Sequence, residues 1–457
     1  MTKAGIPAKK PVAYWNPKTE LMSRDELTDL QLRKLKSMVA WAYQNSPFYQ
    51  AKYSEMGFEP RDLTSLDDIT KLPFTTKQEL LASQQTQPLF GDFTTAPPQM
   101  ALRYHATSGT TGRTPLRILD SRKDWEWVSE AWCYGLYGFG VREQDIVHVS
   151  FSYGTFIGLW GAHCAAERIG CLTIPGGGGT SETRIRQIME LGATAVVATP
   201  TYAIRLAQVA REMGIDLASE SRVEMILMAG EPGGNIPNTK RLIEESWGAR
   251  AGDFPGLSES GGSTAYECSV QPGGVHLLED HYVDEVIEPQ TGKALGYGEK
   301  GELVITSFGR GIMPMIRYRT GDLVELVGND YCTCGRTFNL LKGGILGRVD
   351  DMKIVRGVNV YPAGVENLVR GFSEVEEFQV VITEEGNLPR ICVRVEPSEE
   401  LDGTRRSELV RGLQQVLRDA HSGLRFDIEV VGIGELPRFE LKSRRVVDNR
   451  VREGGQP

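Results

Sequence analysis

No stretch of the 457-residue chain approaches the roughly 20 consecutive apolar residues that a bilayer-spanning helix needs. The N-terminus also lacks the apolar core of a signal peptide, so a cytoplasmic protein with no membrane partner is expected. A long Lys/Arg block is missing too. Acidic residues outnumber basic ones by 60 to 51, and a net charge of −9 offers no basic face to nucleic-acid phosphates. The basic start KAGIPAKKP is only a short tail. Cysteine is scarce, seven residues in all. In a reducing compartment such thiols read as small buried hydrophobes unless their spacing suggests a metal. Cys133, Cys164, Cys171 and Cys392 fit that reading, whereas Cys268, Cys332 and Cys334 do not. There is no internal repeat and no low-complexity tract. What remains is a chain with 40% hydrophobic residues, too apolar for general disorder and about two to four domains long.

Ser23 followed by Glu26 forms a capping-box pattern, and Leu27, Leu30, Leu35, Met38, Val39 and Ala42 recur at helical spacing, so an amphipathic helix opens the protein. From about 100 to 230, short apolar runs (Asp145–Phe151, Cys171–Pro175, Ala195–Thr199, Met225–Ala229) alternate with helical segments such as Glu182–Leu191 and Tyr202–Met213. This alternation predicts an α/β fold with parallel sheets covered by helices, and ligands beyond the carboxyl ends of the strands. Residues 264–347 are mostly strands and turns and form a β-rich subdomain of an N-terminal unit spanning 1–347. An α/β pattern restarts after residues 348–351, giving a small α+β unit over 352–457 with strands at Glu377–Thr383, Arg390–Val395 and Asp427–Val431 and a helix around Arg406–Ala420.

The strongest local signal is Thr107-Ser108-Gly109-Thr110-Thr111-Gly112-Arg113-Thr114-Pro115. Hydroxyls interleaved with glycines let backbone N–H groups and side-chain oxygens close around phosphate, and Arg113 adds a cation. It is not a Walker A loop. Gly256-Leu257-Ser258-Glu259 places a carboxylate after a glycine turn, suited to holding Mg²⁺ against a phosphate. Tyr318-Arg319-Thr320-Gly321-Asp322 ends an apolar strand with an Asp able to accept two ribose hydroxyls. Gly347-Arg348-Val349-Asp350-Asp351 lies at the junction of the two units, and Pro437-Arg438-Phe439-Glu440-Leu441-Lys442 brings a Lys out of an irregular loop.

In this order the motifs resemble the signature set of the adenylate-forming acyl-CoA synthetase superfamily. From about 20 to 450 the chain is similar to the phenylacetate-CoA ligase branch, through SRDEL, SPFYQ, FSYGTFIGLWGAH, AGEPG, GLSE, RYRTGD, GRVDDMKIVRGVNVYP and PRFELK. The resemblance implies a mobile C-terminal domain and two half-reactions. A carboxylate and Mg·ATP give acyl-AMP and pyrophosphate; the thiol of CoA then displaces AMP. It implies that Thr107–Thr114 cradle the triphosphate, Glu259 holds Mg²⁺, Ser258 lies against the nucleotide, Asp322 holds the ribose and Arg348 contacts the nucleotide near a hinge at Asp350. Gly230, Glu231 and Pro232, with the Phe254–Leu257 turn, would flank the adenine, either Phe254 or Pro255 stacking on it. Lys442 would bridge carboxylate and α-phosphate. Arg113 stands where the superfamily usually shows Lys, and a planar guanidinium also binds phosphate.

The acid is expected near Phe151, Tyr153, Trp160 and Gly256. An inward Trp160 would fill the space of an aryl ring, which leaves two substrate classes: an aryl-acetic acid such as phenylacetate, or a small branched or 2-hydroxy acid. Gly176–Gly179 reads as a strand-to-helix connection. Cys268, His276, Cys332 and Cys334, with His281 as a spare, suit tetrahedral structural Zn²⁺, with reduced buried thiols as the alternative. Two further functions stay open, an adenylating enzyme that loads a carrier protein and a nucleotide-binding regulator without catalysis. Glu259, Asp322 and Lys442 together argue against the regulator, and Val355–Pro362 with Gly357 suits a loop opposing a pantetheine tunnel. The oligomeric state is left open, a homodimer included.

Overall fold

The structure is a computed structural model that describes residues 7, 10–107, 114–385, 388–440 and 442–450. The opening helix runs Arg24–Asn45, and Ser23 and Glu26 satisfy each other's backbone N–H groups in the reciprocal cap that the sequence signals. The apolar runs become a five-stranded parallel sheet in which Leu172–Pro175, Ile146–Val149, Ala195–Ala198, Met225–Met228 and Arg250–Asp253 lie side by side in that order. Alternate residues of its strands enter different cores. Ala195, Val197, Met225 and Leu227 pack with the helices Arg122–Phe139 and Ile157–Ile169. Val196, Ala198, Ile226 and Met228 face the other way, onto Ser181–Glu190, Pro200–Glu212 and Pro237–Trp247. The fifth strand, Arg-Ala-Gly-Asp, carries no apolar run. Its pairing with Met225–Met228 places it in the sheet.

Residues 265–348 build an antiparallel sheet of seven strands, with Gly347–Arg348 as a short strand beside Tyr318–Val327. A separate core from Val355 to Val446 fills a four-stranded mixed sheet backed by the helices Pro362–Val369 and Gly403–Ala420. Asn238 and Thr239 at the start of one sheet-covering helix bond Asn367 and Glu366 across from it. Among the described residues, no helix is long and apolar enough to cross a membrane.

Candidate active site

Ala101–Ala106 and Arg117–Ser121 pair antiparallel, with Ala106 opposite Arg117. Thr107 continues this pairing. Its N–H donates to the Leu116 carbonyl at 3.0 Å, and its hydroxyl accepts from the Leu116 N–H at 3.0 Å. Ser108, Gly109, Thr110, Thr111, Gly112 and Arg113 lie outside the described residues.

Glu259 is buried on the turn that follows Gly256–Leu257. Its Oε1 accepts from the Tyr318 hydroxyl at 3.1 Å and meets the Lys77 ammonium at 3.2 Å. Both contacts fall on one oxygen. The fully buried Arg310 fixes the backbone here by donating to the carbonyls of Ser258 at 2.6 Å and Glu259 at 3.0 Å, while its guanidinium pairs with Asp120 at 2.6 Å. Lys77 and Arg310 carry no motif; their roles come from chain crossings of long sequence separation. Gly256 is required where it stands, because a Cβ there would collide with the Gly262 carbonyl across the short strand pair.

Asp322 faces Arg348 in register and pairs with it at 3.3 Å. Burial pushes the Asp322 carboxyl up to about 7, with Arg348 pulling the other way. The same guanidinium donates to the Thr320 carbonyl at 3.3 Å and to Asp350 at 2.8 Å, so Arg348 ties Asp322 to the junction segment.

The loop carrying Lys442 docks against segments that follow the parallel strands. The Glu231 carboxylate accepts from the Ser443 N–H at 2.8 Å and from the Thr201 N–H at 2.9 Å. Arg445 donates to the Thr201 hydroxyl at 3.2 Å and to Glu377 at 2.7 Å. The Lys442 ammonium lies 5.0 Å from the centre of the Phe156 ring. Burial lowers its pKa, opposed by the charges of Glu231 and Glu259. Glu231 thus gives one oxygen to the C-terminal loop and the other to the start of the helix Pro200–Glu212. Gly230 sits beside it with φ +96°, and Pro232 is exposed.

Phe151 packs on Phe156 at 5.6 Å. Tyr153 bonds His163 at 2.8 Å through its hydroxyl and lies edge-on to Trp160 at 4.6 Å. The Trp160 indole N–H donates to the Gly154 carbonyl at 3.0 Å, and Arg103 covers the ring at 4.9 Å. Phe254 is buried beneath the helix Arg122–Phe139, stacked on Trp132 and edge-on to Phe139, so it faces the core.

Away from these groups, the ligand atoms of Cys268, His276, Cys332 and Cys334 lie within 4.8 Å of one another, all four residues buried. The Cys268 and Cys332 sulfurs are 3.6 Å apart, and the Cys334 sulfur is 3.3 Å from His276 Nε2. His276 Nδ1 bonds the Phe338 carbonyl at 3.2 Å, which directs Nε2 into the cluster.

A family model described as the AMP-binding enzyme C-terminal domain matches residues 357–450. The phenylacetate-coenzyme A ligase of Pseudomonas putida is 35% identical over 437 residues, 94% of this chain and 96% of its own. A crystal structure of 2-hydroxyisobutyryl-CoA ligase in the postadenylation state, in complex with 2-HIB-AMP, superposes with a TM-score of 0.89 at 32% identity, covering 95% of this chain and 92% of that one. The same enzyme in complex with 2-HIB-AMP and CoA in the thioesterification state gives 0.72 at 33% identity, covering 96% and 92%. Fold and relatives together define an AMP-forming acid–thiol ligase, which activates a carboxylic acid as acyl-AMP and transfers the acyl group to coenzyme A. The chain belongs to the phenylacetate-CoA ligase family.

Proposed function

We propose that Lys442, Glu259 and Asp322 carry the adenylation step on an aryl-acetic acid or a small branched or 2-hydroxy acid. The observation that carries this reading is the docked C-terminal loop, which places the Lys442 ammonium over Phe156 and within the electrostatic reach of Glu259. A cation there lowers the barrier for one anion, the carboxylate, attacking another, the α-phosphate. Glu259 fits a divalent ion, because its Oε2 has no protein partner among the described residues. An Mg²⁺ ion held there would neutralise phosphate charge. The segment Thr107–Thr114 would cradle the triphosphate, with Ser258, Gly230 and Pro232 beside the nucleotide, and Phe151, Tyr153, Trp160 and Gly256 around the acid. Pyrophosphate release measured with and without free CoA, over a panel containing phenylacetate and 2-hydroxyisobutyrate, tests the assignment. Acid-dependent release with no thioester formed on CoA would instead favour the carrier-protein reading.

Asp322 supports a pH prediction. Its folded pKa is raised, so its contribution to stability is complete below the unfolded value near 4 and is lost as pH rises through about 7. Ribose binding has the opposite sign, since only the ionised carboxylate accepts from two hydroxyls. AMP affinity is expected to rise as pH climbs through about 7 and to lose that rise in Asp322→Asn. An unchanged pH profile in the variant would remove Asp322 from the ribose.

We further propose that the chain divides at 348–351 and that Asp350 is the hinge. Support comes from the relative solved in two states, which match this single conformation with TM-scores of 0.89 and 0.72. Proline fixes φ near −65°. Asp350→Pro is therefore expected to release pyrophosphate in a first turnover but to convert supplied acyl-AMP and CoA to thioester much more slowly. Wild-type rates in both steps would place the hinge elsewhere. The Cys268, His276, Cys332 and Cys334 cluster is proposed as a structural Zn²⁺ site, four protein ligands leaving no open position for catalysis.

A further inference from the structure

A cation that acts on developing charge must be in place before the reaction, yet Lys442 sits on an irregular loop. Something has to fix that loop. One residue on, the Ser443 N–H donates to Glu231 Oε2 at 2.8 Å. Glu231 itself follows the strand Met225–Met228, and its Oε1 accepts from the Thr201 N–H at 2.9 Å, in the first turn of the helix Pro200–Glu212. A carboxylate held between two backbone donors has little freedom to turn. It therefore sets the loop in register against segments that follow two parallel strands.

Arg445, buried two residues beyond Ser443, donates to the Thr201 hydroxyl at 3.2 Å, so loop and carboxylate converge on the same threonine. Charge supports the same arrangement. Burial lowers the Lys442 pKa, and among the charged groups facing it Glu231 is the strongest opposing influence, followed by Glu259, while Lys77 and Arg348 act with burial. Burial raises the Glu231 carboxyl, against the Ser443 and Thr201 donors and the charge of Arg445.

We propose that Glu231 is a positioning residue of the adenylation step, acting through Lys442 by tying its loop to Thr201 rather than by contact with the nucleotide. The proposal rests on the reading of Lys442 as the adenylation cation and deepens it. Glutamine at 231 would keep the shape but turn an amide N–H towards one of the two backbone donors, and the charge beside Lys442 would be gone. Aspartate would keep the charge on a side chain one methylene shorter.

The test measures the two half-reactions separately in wild type, Glu231→Gln, Glu231→Asp, Lys442→Ala and the double variants at 231 and 442. Glu231→Gln should slow acyl-adenylate formation by about 10- to 100-fold, the loss expected for a hydrogen bond to a charged group. Thioester formation from supplied acyl-AMP should stay at the wild-type rate, and AMP affinity should not fall. Added to Lys442→Ala, Glu231→Gln should bring no further loss, because a group that acts through Lys442 then has nothing to position. The alkaline limb of adenylation should move to lower pH in Glu231→Gln, where the charge that supports Lys442 is absent, and stay in place in Glu231→Asp, which loses rate alone. If Glu231→Gln does not fold, Glu231→Asp with and without Lys442→Ala carries the same comparison. Losses that multiply in the double variant, an alkaline limb that does not move in Glu231→Gln, or a drop in AMP affinity that matches the drop in rate overturns the role of Glu231 while the Lys442 reading stands. Lys442→Ala that forms acyl-AMP at the wild-type rate, or loses both half-reactions equally, overturns both.

Discussion

Lys442→Ala is expected to slow acyl-adenylate formation by about 10²–10³, the range for removing one preorganised group aimed at developing charge. Thioester formation from supplied acyl-AMP should stay close to wild type. The asymmetry follows from where the loop sits. The Ser443 N–H is clasped by Glu231, and Lys442 projects from the same turn over Phe156. On the proposed assignment, that geometry serves only the step in which carboxylate and phosphate meet. Because burial depresses the pKa of Lys442, its charge is lost at a lower pH than an ordinary lysine's, so wild-type adenylation should fall early on the alkaline side. Separate measurement of the two half-reactions decides the matter, and equal losses in both would mean that Lys442 holds the fold or the nucleotide generally.

Protein purified without added metal is expected to carry one zinc per chain, and Cys334→Ser to lose it. Ligands from three separate segments converge only in the folded chain, so metal affinity becomes folding free energy. Loss of a structural metal belongs among the largest single-site effects, above about 4 kcal/mol, which corresponds to a fall in Tm of about 10 °C. The cluster is also embedded in a charged surround. Arg336, next but one to Cys334, pairs with Glu20 at 2.5 Å, and the Tyr14 hydroxyl donates to the Cys334 carbonyl at 2.8 Å. Unpaired thiolates and a rearranged turn would therefore disturb the contact between the N-terminal segment and the antiparallel sheet. Elemental analysis and thermal unfolding provide the check. A zinc content near zero, with an unchanged Tm in Cys334→Ser, would return the four residues to the status of reduced buried thiols.

The parallel strands other than Arg250–Asp253 were legible because a strand covered on both faces must be apolar throughout, as Ala195–Ala198 and Met225–Met228 are. Arg250–Asp253 was not, since Arg250 and Asp253 earn their buried places through partners distant in sequence. Arg250 lies over the Phe139 ring at 5.0 Å, and the Asp253 N–H donates to Glu267 at 3.2 Å. The helix Arg122–Phe139 was missed as well, although Ser121 and Asp124 form a reciprocal cap and its hydrophobic face is broad. Its buried Trp125, Val128, Trp132, Leu136 and Phe139 recur at three- and four-residue spacing, so the period was there to be read.

The ordered motifs, through the family resemblance they carry, picked out Glu259, Asp322, Arg348 and Lys442, and the cysteine and histidine pattern picked out the four residues that the structure brings within 4.8 Å. Chemistry that depends on residue type within a short window survives in the sequence. What only the tertiary structure decided is which polar groups are already satisfied. Glu231 turned out to be a clasp on Ser443, Phe254 a core ring, and Trp160 a donor paired with Gly154. The physical reason is that hydrogen-bond satisfaction and close approach are pairwise properties of residues far apart in the chain. The sequence names the carboxylate and the donors, and only folding sets Glu231 between Ser443 and Thr201.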